Sequence, residues 1–313
     1  MPTRTPLGLL LIVALAAACS TSTSGEDEPV TGLNPDDFPA EALAAEITTE
    51  ACTLSGGTKT TCYRVTITGA PANHAVGPFC PRTIDDGPAD AGVWIEDGQV
   101  WDLDGAFITG LASFYDDASW QLYDPVSGEV NVTDTQESCN AAARPDVDPA
   151  YQNYCVECSL DYIADSTITF LIPTEPVFQD TTSDFGMMGK VGVSLSGVVF
   201  DPPAPVDAIL GAHTIAAFDD CGGHVNPHTG YHYHAATGCS VEVAQDDGHA
   251  PLLGYAMDGF GIYGMVDGDG SEPSDLDECR GHSDDARGYH YHVASAGENM
   301  FIGCLHGEAG SAQ

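Results

Sequence analysis

The chain has 313 residues with 8 Lys+Arg against 47 Asp+Glu, a formal net charge of −39. A surface of this sign repels phosphate backbones and anionic headgroups, so the composition excludes nucleic acid as a partner. At 43% hydrophobic the sequence is ordinary globular material, and 35 Gly with 20 Pro favour turns and strands over long helices.

The first residues read as a targeting signal. Arg4 precedes an apolar run from Leu7 to Ala18 that is too short to span a bilayer. The run ends in Leu15-Ala16-Ala17-Ala18-Cys19, which resembles the lipobox of bacterial lipoproteins, in which the cysteine is lipidated and becomes the new N-terminus. An ordinary secretory cut after Ala18 is the competing reading. Ser20 to Pro29 (STSTSGEDEP) reads as a polar tether. Ser rather than Asp at position 20 is what the lipoprotein sorting rule associates with the outer membrane in a Gram-negative cell. The expected division is a signal peptide at 1–18, a tether at 19–44 and one domain at 45–308, with membrane contact only through the N-terminal lipid.

Further along, Thr61–Thr68 and Val93–Leu103 alternate with a period near two, the second around an Asp97-Gly98 turn, and Ser166–Pro173 is a β-rich run stopped by proline. No amphipathic helix signal exceeds about 12 residues. The expected fold is therefore mainly β. Cysteine usage agrees with export: setting Cys19 aside leaves ten of the 11, an even number. An oxidising compartment predicts up to five disulfides among Cys52, Cys62, Cys80, Cys139, Cys155, Cys158, Cys221, Cys239, Cys279 and Cys304. Cys155-x-x-Cys158 has neither flanking bases nor a helix start to lower a thiol pKa, so it reads as structural rather than redox-active.

An internal repeat dominates the C-terminal half. Asp219–His234 (DDCGGHVNPHTGYHYH) and Asp277–His292 (DECRGHSDDARGYHYH) share 9 of 16 residues at an offset of 58, without a gap. Gly192–Val198 (GVSLSGV) parallels Gly254–Phe260 (GYAMDGF) at an offset of 62. Two units, at about 186–239 and 248–304, predict a duplicated, pseudo-twofold β architecture within a single disulfide-braced domain.

These motifs identify the family. The two C-x-G-H…G-Y-H-Y-H segments, the connecting His249–Phe260 stretch (HAPLLGYAMDGF), the closing Phe301-Ile302-Gly303-Cys304 and a G-x-P-x-H-like element at Gly69–His74 resemble the YHYH domain family of exported proteins. Ser196 departs from the Asn usual there. The resemblance implies a domain spanning roughly 60 to 307 and assigns no reaction.

Side chains alternate along a strand, so His232 and His234 share one face while Tyr231 and Tyr233 share the other; His290 and His292 repeat the pattern. Imidazoles at i and i+2 sit roughly 6 to 7 Å apart, near enough for both to reach one metal. Nine of the 11 His lie between His224 and His306. The leading expectation is one transition-metal site (Cu, Zn or Fe) built from His232, His234, His290 and His292 brought together by the pseudo-twofold, with His224, His282 and Asp258 as further ligands and the tyrosines as outer hydrogen-bond donors. Such a saturated site suits metal binding or storage at the cell envelope. With only two or three His bound, the same cluster would support a metal-dependent hydrolase or oxidoreductase, with Asp258 or His249 as general base. A purely structural His-Tyr ladder, or an acidic adhesive surface module, stands against both. One lesser signal remains. Asp267–Ser271 with Glu278 resembles a Ca²⁺ loop, but Glu272 stands where Gly is needed. The expected disulfides are Cys221–Cys239 and Cys279–Cys304, each bracketing its own His strand, and Cys52 and Cys62 are further candidates; the rival is a Cys221–Cys279 bridge.

Overall fold

A computed structural model describes residues 32–144, 146–186 and 189–313; the signal segment, Cys19 and Ser20–Pro29 lie outside the described residues. Each Tyr-His-Tyr-His segment is a strand preceded by a glycine with positive φ (Gly230, +77°; Gly288, +61°), which turns the chain back on the strand before it. The resulting hairpins are β3 and β4 and, in the second copy, β7 and β8. They belong to one eight-stranded sheet made of β1 (Gly192–Ser194), β2 (Val199–Phe200), β3 (Gly223–Asn226), β4 (Gly230–Tyr233), β5 (Leu252–Ala256), β6 (Gly261–Tyr263), β7 (Gly281–Asp284) and β8 (Gly288–His292). The spatial order is β3-β4-β2-β1-β5-β6-β8-β7.

This order reads alike from either edge. His224 lies opposite His232 and His282 opposite His290; Gly192 pairs with Phe200 as Gly254 pairs with Ile262. The central pair β1 and β5 is antiparallel, with Val193 opposite Tyr255 flanked by Gly192–Ala256 and Ser194–Gly254. The pseudo-twofold axis therefore passes through the Val193–Tyr255 pair. Close approach at this seam requires glycine. A Cβ on Gly192 would stand 2.1 Å from the Tyr255 carbonyl oxygen, and one on Gly254 would stand 2.2 Å from that of Val193.

The tyrosine face of the sheet packs into the main core, where Tyr231, Tyr233 and Tyr291 are buried with Phe200, Phe260, Ile262 and Phe301. A four-stranded sheet, ordered Thr48–Thr53, Lys59–Ile67, Ile168–Pro173 and Ser311–Ala312, contributes Val65, Ile67, Phe170 and Ile172 to the same core. A second core gathers Trp94, Ile95, Leu103, Ile108 and Leu122 with Ile215, Ala217 and Phe218 from the first repeat unit. The Val93–Leu103 expectation resolves into the hairpin Val93–Glu96 and Gln99–Asp102, turned by Asp97 and Gly98, both at positive φ.

The chain is mainly β, with three short α-helices at Gly105–Phe114, Gln136–Ala142 and Val206–Gly211 among the described residues. No helix there is long and apolar enough to cross a membrane. Five disulfides join Cys52–Cys62, Cys80–Cys155, Cys139–Cys158, Cys221–Cys239 and Cys279–Cys304. Cys155 and Cys158 thus bond to separate partners. The expected tether is too long at its C-terminal end: Leu33, Phe38 and Ala42 are buried, and Tyr255 Oη donates to Asp37 Oδ2.

Overpacking the seam is expected to be costly. Gly254→Ala should lower stability by about 1–3 kcal/mol or more, because the obstruction is backbone. Gly110→Ala, where added bulk meets nothing within 4 Å, should be neutral or slightly stabilising. Denaturant midpoints measured with disulfides intact check both.

Candidate metal centres

The sheet order decides which histidines meet. Strands β4 and β8 stand five strand spacings apart, on the order of 24 Å. His232 and His234 therefore do not converge with His290 and His292, and the expected single four-imidazole site becomes two centres at opposite ends of one sheet. In each, the cross-strand partner on the edge hairpin completes the group. The first centre is His224, His232 and His234; the second is His249, His282, His290 and His292; within each, one potential ligand atom per residue lies within 4.8 Å of all the others.

The second centre is defined by its outward-facing nitrogens. His290 Nδ1 lies 2.9 Å from Gly288 O, His292 Nδ1 2.7 Å from Gly264 O, and His249 Nδ1 2.9 Å from Ala250 O. A carbonyl can only accept, so each Nδ1 carries the proton. His282 Nδ1 donates to Asp275 Oδ1 at 2.9 Å, and this bond holds the Asp275 carboxyl below its usual range. All four Nε2 atoms consequently present lone pairs inward, with His249 Nε2 2.9 Å from His290 Nε2 and His282 Nε2 3.2 Å from His292 Nε2. Desolvation pushes His290 and His292 down to about 4 and lowers His249, so burial favours the neutral form of these three imidazoles. Metal–nitrogen bonds of about 2.0–2.1 Å give nitrogen–nitrogen edges of about 3.3–3.4 Å in a tetrahedron and about 2.8–3.0 Å in a square plane. Of the two pairs closest together, 2.9 Å matches a square-planar edge and 3.2 Å lies just below a tetrahedral one, and all four atoms lie within 4.8 Å of one another.

The first centre repeats part of this design. His232 Nδ1 donates to Gly230 O (2.9 Å) and His234 Nδ1 to Pro202 O (2.6 Å), the carbonyls related by the pseudo-twofold to Gly288 and Gly264. His224 differs from His282 in stacking on Phe218, with ring centroids 4.9 Å apart, rather than bonding a carboxylate. Its Nε2 lies 3.3 Å from His234 Nε2. Asn226 Nδ2 approaches His232 Nε2 at 3.3 Å, and Asp201, paired with Lys190 at 2.8 Å, stands 3.7 Å from the same nitrogen. Burial lowers all three histidines.

The remaining sequence candidates lie elsewhere. Asp258 is buried on the tyrosine face, where its Oδ2 accepts from Tyr291 Oη (2.6 Å) and Gly307 N (3.0 Å), and desolvation raises its carboxyl. It sits in the turn between β5 and β6, with its carboxylate on the side away from the imidazoles. Tyr231 and Tyr289 likewise bond to acids and not to the clustered imidazoles: Tyr231 Oη donates to Asp219 and Tyr289 Oη to Asp277, each at 2.8 Å, while Tyr233 Oη lies 3.4 Å from His74 Nε2. His74 meets the same face, 3.3 Å from Tyr231 Oη. In the Ca²⁺-loop candidate, Asp267 accepts from Ala250 N, Asp269 closes its own turn on Ser271, and Glu278 accepts from Thr182 Oγ1. Those carboxylates are committed to different partners. His249 and Asp275 had no ligand or orienting role in the sequence reading. The usable signal for His249 was its place at the head of the strand that begins the second unit.

Residues 169–274 match the family described as YHYH protein. The chain carries a YHYH domain. The matched span contains the first centre and His249, and ends before His282, His290 and His292. No curated protein and no solved structure matches the chain.

Two outcomes follow. In metal-stripped protein, His290 and His292 take protons in the unfolded state near 6.5 but in the folded state only near 4. Stability should therefore be level above about pH 6.5 and fall as pH drops towards 4. Urea midpoints across that range read this, and a flat profile would contradict neutral buried imidazoles. Asp258→Ala should cost about 2–3 kcal/mol by orphaning the Tyr291 hydroxyl and the Gly307 amide, yet leave metal content unchanged. Loss of metal in a folded Asp258→Ala protein would restore Asp258 as a ligand.

Proposed function

We propose that this is an exported, lipid-anchored protein of the cell envelope that binds transition-metal ions in its two histidine centres. The observation that carries the reading is the second centre, where four imidazoles with protonated Nδ1 atoms turn four Nε2 lone pairs on one another. A buried group of lone pairs without donors is costly, and a cation between them converts repulsion into four bonds. All-imidazole donors suit Cu, Zn and Fe.

Export is supported by the five disulfides, which use every cysteine but Cys19. That leftover thiol stands where a lipobox needs it, and the lipid would hold the protein at the membrane, the outer one in a Gram-negative cell. Four protein ligands complete a tetrahedral ion and leave no position for substrate, which favours binding or storage over catalysis at the second centre. The cleft beside the first centre favours a second reading there, metal-dependent enzymatic chemistry.

Elemental mass spectrometry on the full chain, purified in detergent without a metal-affinity column, tests the proposal. Up to two Cu, Zn or Fe per chain are expected. His249→Ala/His282→Ala should remove one, and adding His224→Ala should remove the other. Wild-type protein that stays metal-free after reloading would overturn the reading and leave the histidines as sheet architecture.

A further inference from the structure

The two centres differ in what surrounds them. Of the second centre's imidazoles, His290 lines a polar cavity of about 680 Å³ that also holds Asp247 and Arg287. In the first centre His224, His232 and His234 all line one cleft of about 790 Å³. Its walls include Pro202, Ala204, Ala208, Ile209, Ala216 and Val225, so the approach to the ligand atoms is largely apolar. Among the described residues this centre has three imidazoles where the other has four.

We infer that the first centre, when metal-loaded, keeps one coordination position for an exogenous ligand, and that the ligand is a small monoanion with a short apolar tail, such as a short-chain carboxylate. The inference rests on the metal-binding reading above. Three protein nitrogens on a tetrahedral ion leave one position for water or another donor. Three neutral imidazoles do not offset a divalent ion, so the loaded centre is cationic and favours an anion. Asp201 does not reverse this, because Lys190 Nζ holds its Oδ1 at 2.8 Å while also donating to Thr229 Oγ1. Asn226 is oriented as a donor: its Oδ1 accepts from His228 N and Thr229 N, which turns Nδ2 towards His232 Nε2. Once a metal takes that nitrogen, the Asn226 N–H group is free to donate to the incoming anion. The aliphatic wall then receives the tail, whose burial adds affinity with each methylene.

The test uses the full chain loaded with Co(II), whose visible spectrum reports coordination. His249→Ala/His282→Ala isolates the first centre, and His224→Ala/His234→Ala isolates the second. With the first centre alone, azide, acetate and butyrate should each shift the spectrum saturably. Butyrate should bind more tightly than acetate by up to roughly fifteenfold, from two methylenes at about fourfold each. Ala208→Trp, which fills the cleft, should abolish the butyrate advantage and spare azide. The second centre alone should retain Co(II) and ignore all three anions. Bound Co(II) at the first centre that ignores anions would overturn this inference while the metal reading stands. Equal binding of acetate and butyrate would overturn the apolar tail. A folded first-centre protein that takes no Co(II), beside a second centre that does, would remove the inference and leave metal binding to the second centre; loss of Co(II) from both would sink the metal-binding reading itself.

Discussion

Much of the C-terminal half is organised by the fact that imidazole has one nitrogen to donate and one to accept. Backbone carbonyls of Gly230, Pro202, Gly288, Gly264 and Ala250, with the Asp275 carboxylate, take the Nδ1 protons. The Nε2 lone pairs are thereby forced inward. Carbonyls are fixed by the sheet, so the ligand orientation is set by main-chain geometry and needs few supporting side chains. Burial also disfavours the charged form of His224, His232, His234, His249, His290 and His292, and a neutral imidazole is the form that can act as a ligand.

The opposite face of the same strands does different work. Tyr231, Tyr289 and Tyr291 reach Asp219, Asp277 and Asp258, so each hairpin has a hydrogen-bonded tyrosine back and a histidine front. Period-two alternation produces this division in four residues. The pseudo-twofold then places one such hairpin at each end of the sheet. Equivalent carbonyls recur in both copies, while Asp275 and His249 belong to the second centre and Phe218, Asn226 and Asp201 surround the first. One architecture thus carries two histidine groups with different surroundings.

The alternation, the repeat and the β-rich class were legible because they are local: each follows from spacing along the chain. The identity of the ligand partners was not, because it depends on strand order. An offset of 58 says that two hairpins are alike and says nothing of the four strands inserted between them. Those strands separate His232 from His290 and bring each instead beside its own hairpin partner, His224 or His282. His249, read as a candidate general base and not as a ligand, and Asp275 lie outside the repeated windows and reach the second centre by tertiary folding. Asp258 was misplaced for a simpler reason. It is acidic and near the motif, but the turn after β5 places its carboxylate against Tyr291 on the tyrosine side. The short helices fell below any periodic signal, since the longest has ten residues.

The bridges Cys221–Cys239 and Cys279–Cys304 bear on the order in which this protein matures. While reduced, Cys221 and His224 form a Cys-x-x-His pair, as do Cys279 and His282, and thiolates outcompete imidazole for soft metals. A metal captured at that stage would hold the edge histidine in the wrong donor set. Oxidation withdraws the sulfurs and leaves nitrogen as the available ligand. Under the metal-binding proposal, metal loaded after oxidation would meet nitrogen donors alone, and metal met before it would meet sulfur donors from the same loops.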